Sequence, residues 1–181
     1  MTDVIKVVLL GLGTVGGGTV NVTQRNAAEI TRRTGKSLQI VAAAVRDVNA
    51  DRICSTDSLD LTEDALSIVD NPEIDIVVEL MGGTDAAFDL VMRAIGNGKH
   101  VVTANKALIA IRGNEIVQAA EDAKVMVAFE AAVAGSIGII KALREGFSGN
   151  QIRSVAGIIN GTGNYILTAM GDEHRDFLDV L

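Results

Sequence analysis

The 181-residue chain has no tryptophan, one tyrosine and only four phenylalanines, so large rings do not build its core. Valine, isoleucine, leucine and alanine must do so, the usual filling of parallel strands covered on both faces. Cysteine occurs once, at Cys54. That excludes an internal disulfide and fits a reducing compartment, and no histidine or metal-ligand spacing surrounds the thiol. No apolar run reaches the length of a membrane span. The opening residues, MTDVIK, carry an acid at Asp3 where an export signal would place basic residues before an apolar stretch. A cytoplasmic protein with no membrane partner is expected. Basic residues are in deficit, 16 Lys and Arg against 23 Asp and Glu, for a net charge of −7 and a pI of about 4.8. A polyanion such as nucleic acid would be repelled, and no basic patch overrides that field.

What the chain does have is hydrophobic residues, 48% of the total, with a mean hydropathy of +0.32. That is enough for one sizeable domain plus part of another. Val4 to Leu10 reads as a buried strand and Thr14 to about Arg33 as a helix stopped by Thr34-Gly35. Leu38 to Val45 is a second strand. After a polar stretch from Val48 to Leu61, a short helix capped by Thr62 closes before Pro72. Ile74 to Leu80, His100 to Thr103 and Lys124 to Phe129 are three further strands, separated by helices over 85–96 and within 112–123. Strands alternating with helices at this spacing predict parallel βαβ units with right-handed crossovers. The fold class expected is therefore α/β, a Rossmann-type doubly wound parallel sheet over residues 1–135. Beyond it, Ser136 to Glu145 reads as helix, Ile152 to Ile159 as strand and Gly163 to Met170 as helix. Residues 136–181 are thus expected to begin a second, α+β domain that is incomplete at Leu181. An unpaired Ile152 to Ile159 strand would be an association hazard.

The first strand runs into Gly11-x-Gly13-x-x-Gly16, and a helix follows. In that context each glycine has a steric role: the tight turn, the approach of a pyrophosphate to the backbone, and close packing of helix on strand. The helix amides and dipole then face the phosphates. Gly17 and Gly18 are extra, and they cost helix propensity without serving this fingerprint. At the end of the second strand, Arg46 suits the 2′-phosphate of NADP whereas Asp47 suits the ribose hydroxyls of NAD. NADP is favoured and NAD stays open. Met81-Gly82-Gly83-Thr84 and Thr103-Ala104-Asn105-Lys106 follow the next two strands on the same edge. Lys106 is either a donor to the nicotinamide ribose or substrate, or a solvated lysine. Glu130 to Ile139 combines a carboxylate with small residues. Read from its residues alone, it is better taken as a helix-entry turn than as a hard-cation site.

Taken together, GLGTVGGG, ELMGG, VVTANKALIA, FEAAVAGSIGIIKAL and GIINGTGNYIL resemble homoserine dehydrogenase, in the family's order and over essentially the whole chain. The family interconverts L-homoserine and L-aspartate 4-semialdehyde with NAD(P), a step toward threonine, methionine and isoleucine. The resemblance implies cofactor contacts at Leu12, Gly13, Thr14, Val15, Arg46 and Lys106, to which the residue reading adds Gly11, Gly16 and Thr103. It implies a monovalent cation, usually taken as sodium, at Glu130, Val133, Gly135 and Ile137, largely through backbone carbonyls, which reverses the preference for a simple turn. Gly161 and Thr162 match positions near the nicotinamide and substrate. The family more often has a larger residue at Gly163. Its substrate-gripping acids and proton-donating lysine lie downstream of the GIINGT strand, beyond Leu181, so no catalytic residue is assigned and the chain by itself is expected to turn over weakly or not at all. A homo-oligomer acting on a small-molecule substrate is implied for the full-length protein. The competing reading is an NAD(P)-binding or redox-sensing module without catalysis, because fold does not dictate function.

Overall fold

The computed structural model describes residues 3–157 and 160–181. The chain divides into two compact units, Met1–Ile137 and Gly138–Leu181. The first holds a six-stranded sheet in which every pairing is parallel. Its strands are β1 (Val4–Leu10), β2 (Ser37–Ala44), β3 (Asp60–Thr62), β4 (Ile76–Glu79), β5 (His100–Thr103) and β6 (Val127–Ala128), in the order β3-β2-β1-β4-β5-β6. That is the doubly wound order, in which the chain reverses direction across the sheet between β1 and β4 and leaves a crevice at their carboxyl ends.

Strand β1 shows why the sheet is covered on both faces. Side chains alternate sides along a strand, and here both sets are apolar. Val8 and Leu10 join Val77, Leu90, Val91, Leu108 and Ile116 in one core. Val7 and Leu9 join Leu12, Val20, Ala43 and Leu59 in the other. The connecting helices are α1 (Thr14–Arg25), α2 (Ala27–Thr34), α3 (Ala65–Asp70), α4 (Asp85–Gly96) and α5 (Lys106–Ala123). They supply the second layer of each core.

Several expected boundaries move. The single helix expected over 14–33 breaks at Asn26, a weak helix former with φ −105° and ψ 14°. Its second half ends at Gly35, whose left-handed φ of 72° makes the expected stop. Strand β3 was not expected; three residues are too few to show a period, and it exists because Asp60–Thr62 pairs with Ala42–Ala44. Asp64, not Thr62, caps α3, accepting hydrogen bonds from the amides of Leu66 and Ser67 at 3.0 and 3.1 Å. Helix α5 starts at Lys106, before the expected 112, because Asn105 caps it by accepting from Leu108 N at 3.1 Å.

The second unit contains α6 (Ile139–Lys141) running into a π-turn at Ala142–Gly146, then α7 (Gly161–Asp172) and α8 (Phe177–Val180). The strand expected at Ile152 to Ile159 does not form over residues 151–157, and Ile158 and Ile159 lie outside the described residues. A strand is held by its neighbour's hydrogen bonds, and the described residues of this unit offer no strand to pair with. Among the described residues, no helix is long and apolar enough to cross a membrane.

Candidate functional site

The three glycines of the turn after β1 are required by different things. Gly11 has φ 102° and donates its N–H to Ala44 O at 2.9 Å. A Cβ there would lie 2.9 Å from Leu80 O, and one on Gly16 would lie 2.3 Å from Gly11 O. The fold itself therefore forbids side chains at both. Around Gly13 a Cβ would meet nothing within 4 Å, so the fold leaves that position open. Gly13 is also the N-cap of α1 and offers no side-chain acceptor, so the first amides of the helix keep their hydrogen-bonding capacity for a partner outside the protein. Thr14 and Val15, exposed, open that helix. Gly17 acquires a reason: a Cβ there would press on Ile53 at 2.5 Å. Gly18 meets nothing, and nothing in the structure explains it.

A cleft of about 670 Å³ lies along this turn, lined by Leu10–Gly13 from β1, Ala44–Asp47 from the end of β2, and Leu80 and Met81 from the end of β4. Ala50, Arg52, Glu63 and Ala65 complete it. Arg46 and Asp47 part company here. Both line the cleft, but Asp47 Oδ1 accepts from Asn49 N in its own turn at 2.8 Å. Arg46 is exposed, and no hydrogen bond or ion pair is recorded for it among the described residues. Arg52 is a wall residue that sequence reading missed. It donates to Leu12 O at 3.1 Å and to Asp47 O, joining the glycine turn to the loop after β2, and its Nε is buried without a partner. Nothing in the polar stretch 48–61 marks it in advance.

At the ends of β4 and β5 a different construction appears. Glu79 and Thr103 are both fully buried, with Thr103 Oγ1 donating to Glu79 Oε2 at 2.6 Å. The Glu79 carboxylate also accepts from Met81 N at 2.9 Å and Gly82 N at 3.3 Å. Thr103 Oγ1 accepts from Asn105 N at 3.0 Å, and Asn105 Nδ2 donates to Gly83 O at 2.6 Å. Thr103, an expected cofactor contact, donates and accepts through its hydroxyl within the protein and lies outside the lining of the cleft. Lys106 is the exposed first residue of α5 on the same edge, outside the cleft's lining. Glu79, the acid of ELMGG, is a further residue that sequence reading missed. The available signal was a carboxylate ending an apolar strand, which demands internal donors.

The segment expected to hold a cation leaves β6 through a 3₁₀ turn at Glu130–Ala132. Glu130 O accepts from Val133 N at 3.2 Å and Ala134 O from Ile137 N at 2.9 Å. Ala134 and Ser136, on either side of Gly135, have φ of 45° and 73°, left-handed conformations that cost a residue with a Cβ of the order of 1–2 kcal/mol. Among the described residues no cluster of three or more His, Cys, Asp or Glu side chains offers a metal site, so a cation here would need backbone oxygens among its ligands. Gly161 and Thr162 lie in the other unit, opening α7, where Asn160 caps the helix by accepting from Gly163 N at 2.7 Å. A Cβ on Gly163 would sit 3.2 Å from that Asn160 oxygen, so a larger residue would crowd this cap.

A parallel sheet in this strand order, with a ligand-ready glycine turn at its switch point, defines a dinucleotide-binding domain of the doubly wound class. The family model for the NAD-binding domain of homoserine dehydrogenase matches residues 11–130, and the model for homoserine dehydrogenase matches residues 138–181. The chain belongs to the homoserine dehydrogenase family. It is 56% identical over 177 residues to the homoserine dehydrogenase of Pseudomonas aeruginosa and 51% identical over 178 residues to that of Neisseria gonorrhoeae, covering 98% of this chain in each case. A crystal structure of a homoserine dehydrogenase from Thiobacillus denitrificans superimposes with a TM-score of 0.92 at 58% identity, covering 99% of this chain and 42% of that one. The chain spans 40% of the length of those two curated relatives.

Proposed function

We propose that this chain is the cofactor-binding portion of an enzyme that interconverts L-homoserine and L-aspartate 4-semialdehyde, with NADP preferred over NAD. The carrying observation is Gly13, which the fold leaves open beside the uncapped start of α1 and at the mouth of the cleft. A pyrophosphate fits that position: its charge meets helix amides, and its oxygens can approach bare backbone. Gly11 and Gly16 shape the turn, and Leu12, Thr14 and Val15 border the phosphates. Arg46, which lines the cleft beside an Asp47 already bonded to its own turn, pairs with the 2′-phosphate. Lys106 meets the nicotinamide half from the start of α5.

In the oxidative direction homoserine loses a hydride from its hydroxyl-bearing carbon and a proton from that hydroxyl, giving the aldehyde, reduced cofactor and H⁺. The bound nicotinamide supplies the hydride acceptor at its C4. The carbonyls of Glu130, Val133, Gly135 and Ile137 would hold a monovalent cation, sodium as the family resemblance implies, and the strained turn at Ala134 and Ser136 fits this reading. Residues 1–135 form the cofactor domain, and residues 136–181 belong to a substrate domain in which Gly161 and Thr162 approach the substrate. The full-length protein works as a cytoplasmic homo-oligomer in amino-acid biosynthesis. The test is fluorescence titration of the 181-residue chain with NADPH and NADH. Saturable binding, tighter for NADPH, is expected; no saturable binding of either would falsify the proposal.

A further inference from the structure

Glu79 ends a four-residue strand, IVVE, and its side chain is completely buried. A carboxylate withdrawn from water must be compensated by donors inside the protein. The three it has lead into a closed circuit. Two of the donors, the amides of Met81 and Gly82, belong to the turn that follows β4. The third, Thr103 Oγ1, carries the connection across to β5 and accepts from Asn105 N. Asn105 then caps α5 through Leu108 N and returns to the first turn by donating to Gly83 O. Gly82 and Gly83 have φ of 72° and 74°, and neither presents a Cβ position with a neighbour within 4 Å. Met81 packs on the core, but the two glycines have no side chain to hold them, glycine loses more freedom on ordering than any other residue, and these hydrogen bonds restrain the turn.

We propose that Glu79 is a positioning residue for the nicotinamide half of the cofactor. Through Thr103 and Asn105 its carboxylate locks the Met81–Gly83 turn to the start of α5, and so fixes in advance the backbone and the Lys106 position that meet that half. This rests on the dinucleotide reading given above. In a doubly wound sheet one mononucleotide lies over the first three strands and the other over the last three, and the side chains that build the circuit, Glu79, Thr103 and Asn105, belong to the second. Ordering the two loops before the ligand arrives removes an entropic cost of binding.

The test uses the 181-residue chain and two ligands, NADPH and adenosine 2′,5′-bisphosphate, which lacks the nicotinamide half. Glu79→Gln keeps the side chain's shape but presents an NH₂ or a single acceptor where the circuit needs acceptors on both sides. Thr103→Val removes the connecting hydroxyl and Thr103→Ser keeps it. Glu79→Gln and Thr103→Val should each weaken NADPH binding on the order of tenfold, about 1.4 kcal/mol of lost preorganisation, while leaving adenosine bisphosphate binding unchanged. Thr103→Ser should bind as the parent does. The double variant should be no weaker than either single one, since both break the same circuit. Equal weakening of the two ligands, or unchanged NADPH binding, overturns the proposal. If Glu79→Gln does not fold, the Thr103 pair decides: equal NADPH affinity for valine and serine overturns it. A parent chain that binds neither ligand refutes the dinucleotide reading itself, an outcome distinct from variants that bind as the parent does.

Discussion

The two halves of the sheet's carboxyl edge are shaped by opposite means. At β1 the turn is made by removing side chains: Gly11 and Gly16 let backbone touch backbone, and Gly13 leaves the outside free. At β4 and β5 the turns are made by burying polar side chains, Glu79, Thr103 and Asn105, which hydrogen-bond to one another and to the backbone of the adjoining turns and the start of α5. The first construction is steric and leaves an open cleft. The second is electrostatic and leaves the loops tied. The difference teaches that a ligand-binding edge can be preorganised either by having nothing in the way or by spending every hydrogen bond internally.

The largest effect should come from closing the steric half. Gly16→Ala puts a methyl 2.3 Å from a backbone carbonyl and should cost about 3 kcal/mol of stability in urea denaturation. Gly13→Ala meets no protein atom, so its stability should change by less than about 1 kcal/mol, while NADPH affinity falls on the order of a hundredfold. Parallel losses of stability and binding in both variants would erase the distinction between a fold glycine and a ligand glycine.

In the electrostatic half, Glu79→Ala leaves a buried hydroxyl and two loop amides without their acceptor, which should cost about 2 kcal/mol and lower the thermal midpoint by several degrees. A midpoint equal to the parent's would mean the circuit holds nothing. Arg46→Ala should weaken NADPH by about tenfold, or 1.4 kcal/mol, and leave NADH nearly unaffected, because only the former loses a charged phosphate partner. Matching losses for the two cofactors would remove Arg46 from that role.

The smallest effect is expected at the opposite, amino edge, which serves as a control. There Arg93 forks the Asp70 carboxylate with two 2.6 Å bonds. That guanidinium, aided by Asn97, holds the carboxyl below its ordinary range. A carboxyl depressed in the folded state stabilises above its unfolded pKa, about 3.9, and loses that contribution as pH falls through the folded value. The pair is exposed, so Arg93→Ala should lower the midpoint only slightly at pH 7 and should not alter NADPH binding. The gap from the parent should close as pH falls below about 4. A gap that widened in acid would contradict the pairing.

Much of this was legible where the physics is local. The bounds of β1, α4 and β5 follow from continuous apolar runs and from a 3.6-residue period, and the glycine turn from its spacing between strand and helix. The start of α5 was missed because its cap is a single asparagine in a segment whose apolar residues, Leu108, Ile109 and Ile111, do not form one clean stripe. Strand β3 was missed because it is defined by its partner. The strand expected at Ile152 to Ile159 shows the converse: Ile152 and Val155, β-formers in a segment with Arg153, Ser154 and Gly157, make no strand where the described residues of their unit offer none to pair with.

The sequence by itself determined the alternation of strand and helix, the place of the nucleotide turn and the family, because each is carried by residues adjacent in the chain. Only the tertiary structure decided that Arg52 would grip Leu12 across 40 residues, that Arg46 and Asp47 would line one cleft with the glycine turn, and that Glu79 would meet Thr103 across 24. The reason is register. Glu79 and Thr103 are direct partners in the parallel pairing of β4 with β5, and a shift of one residue would turn one of the two side chains to the other face of the sheet.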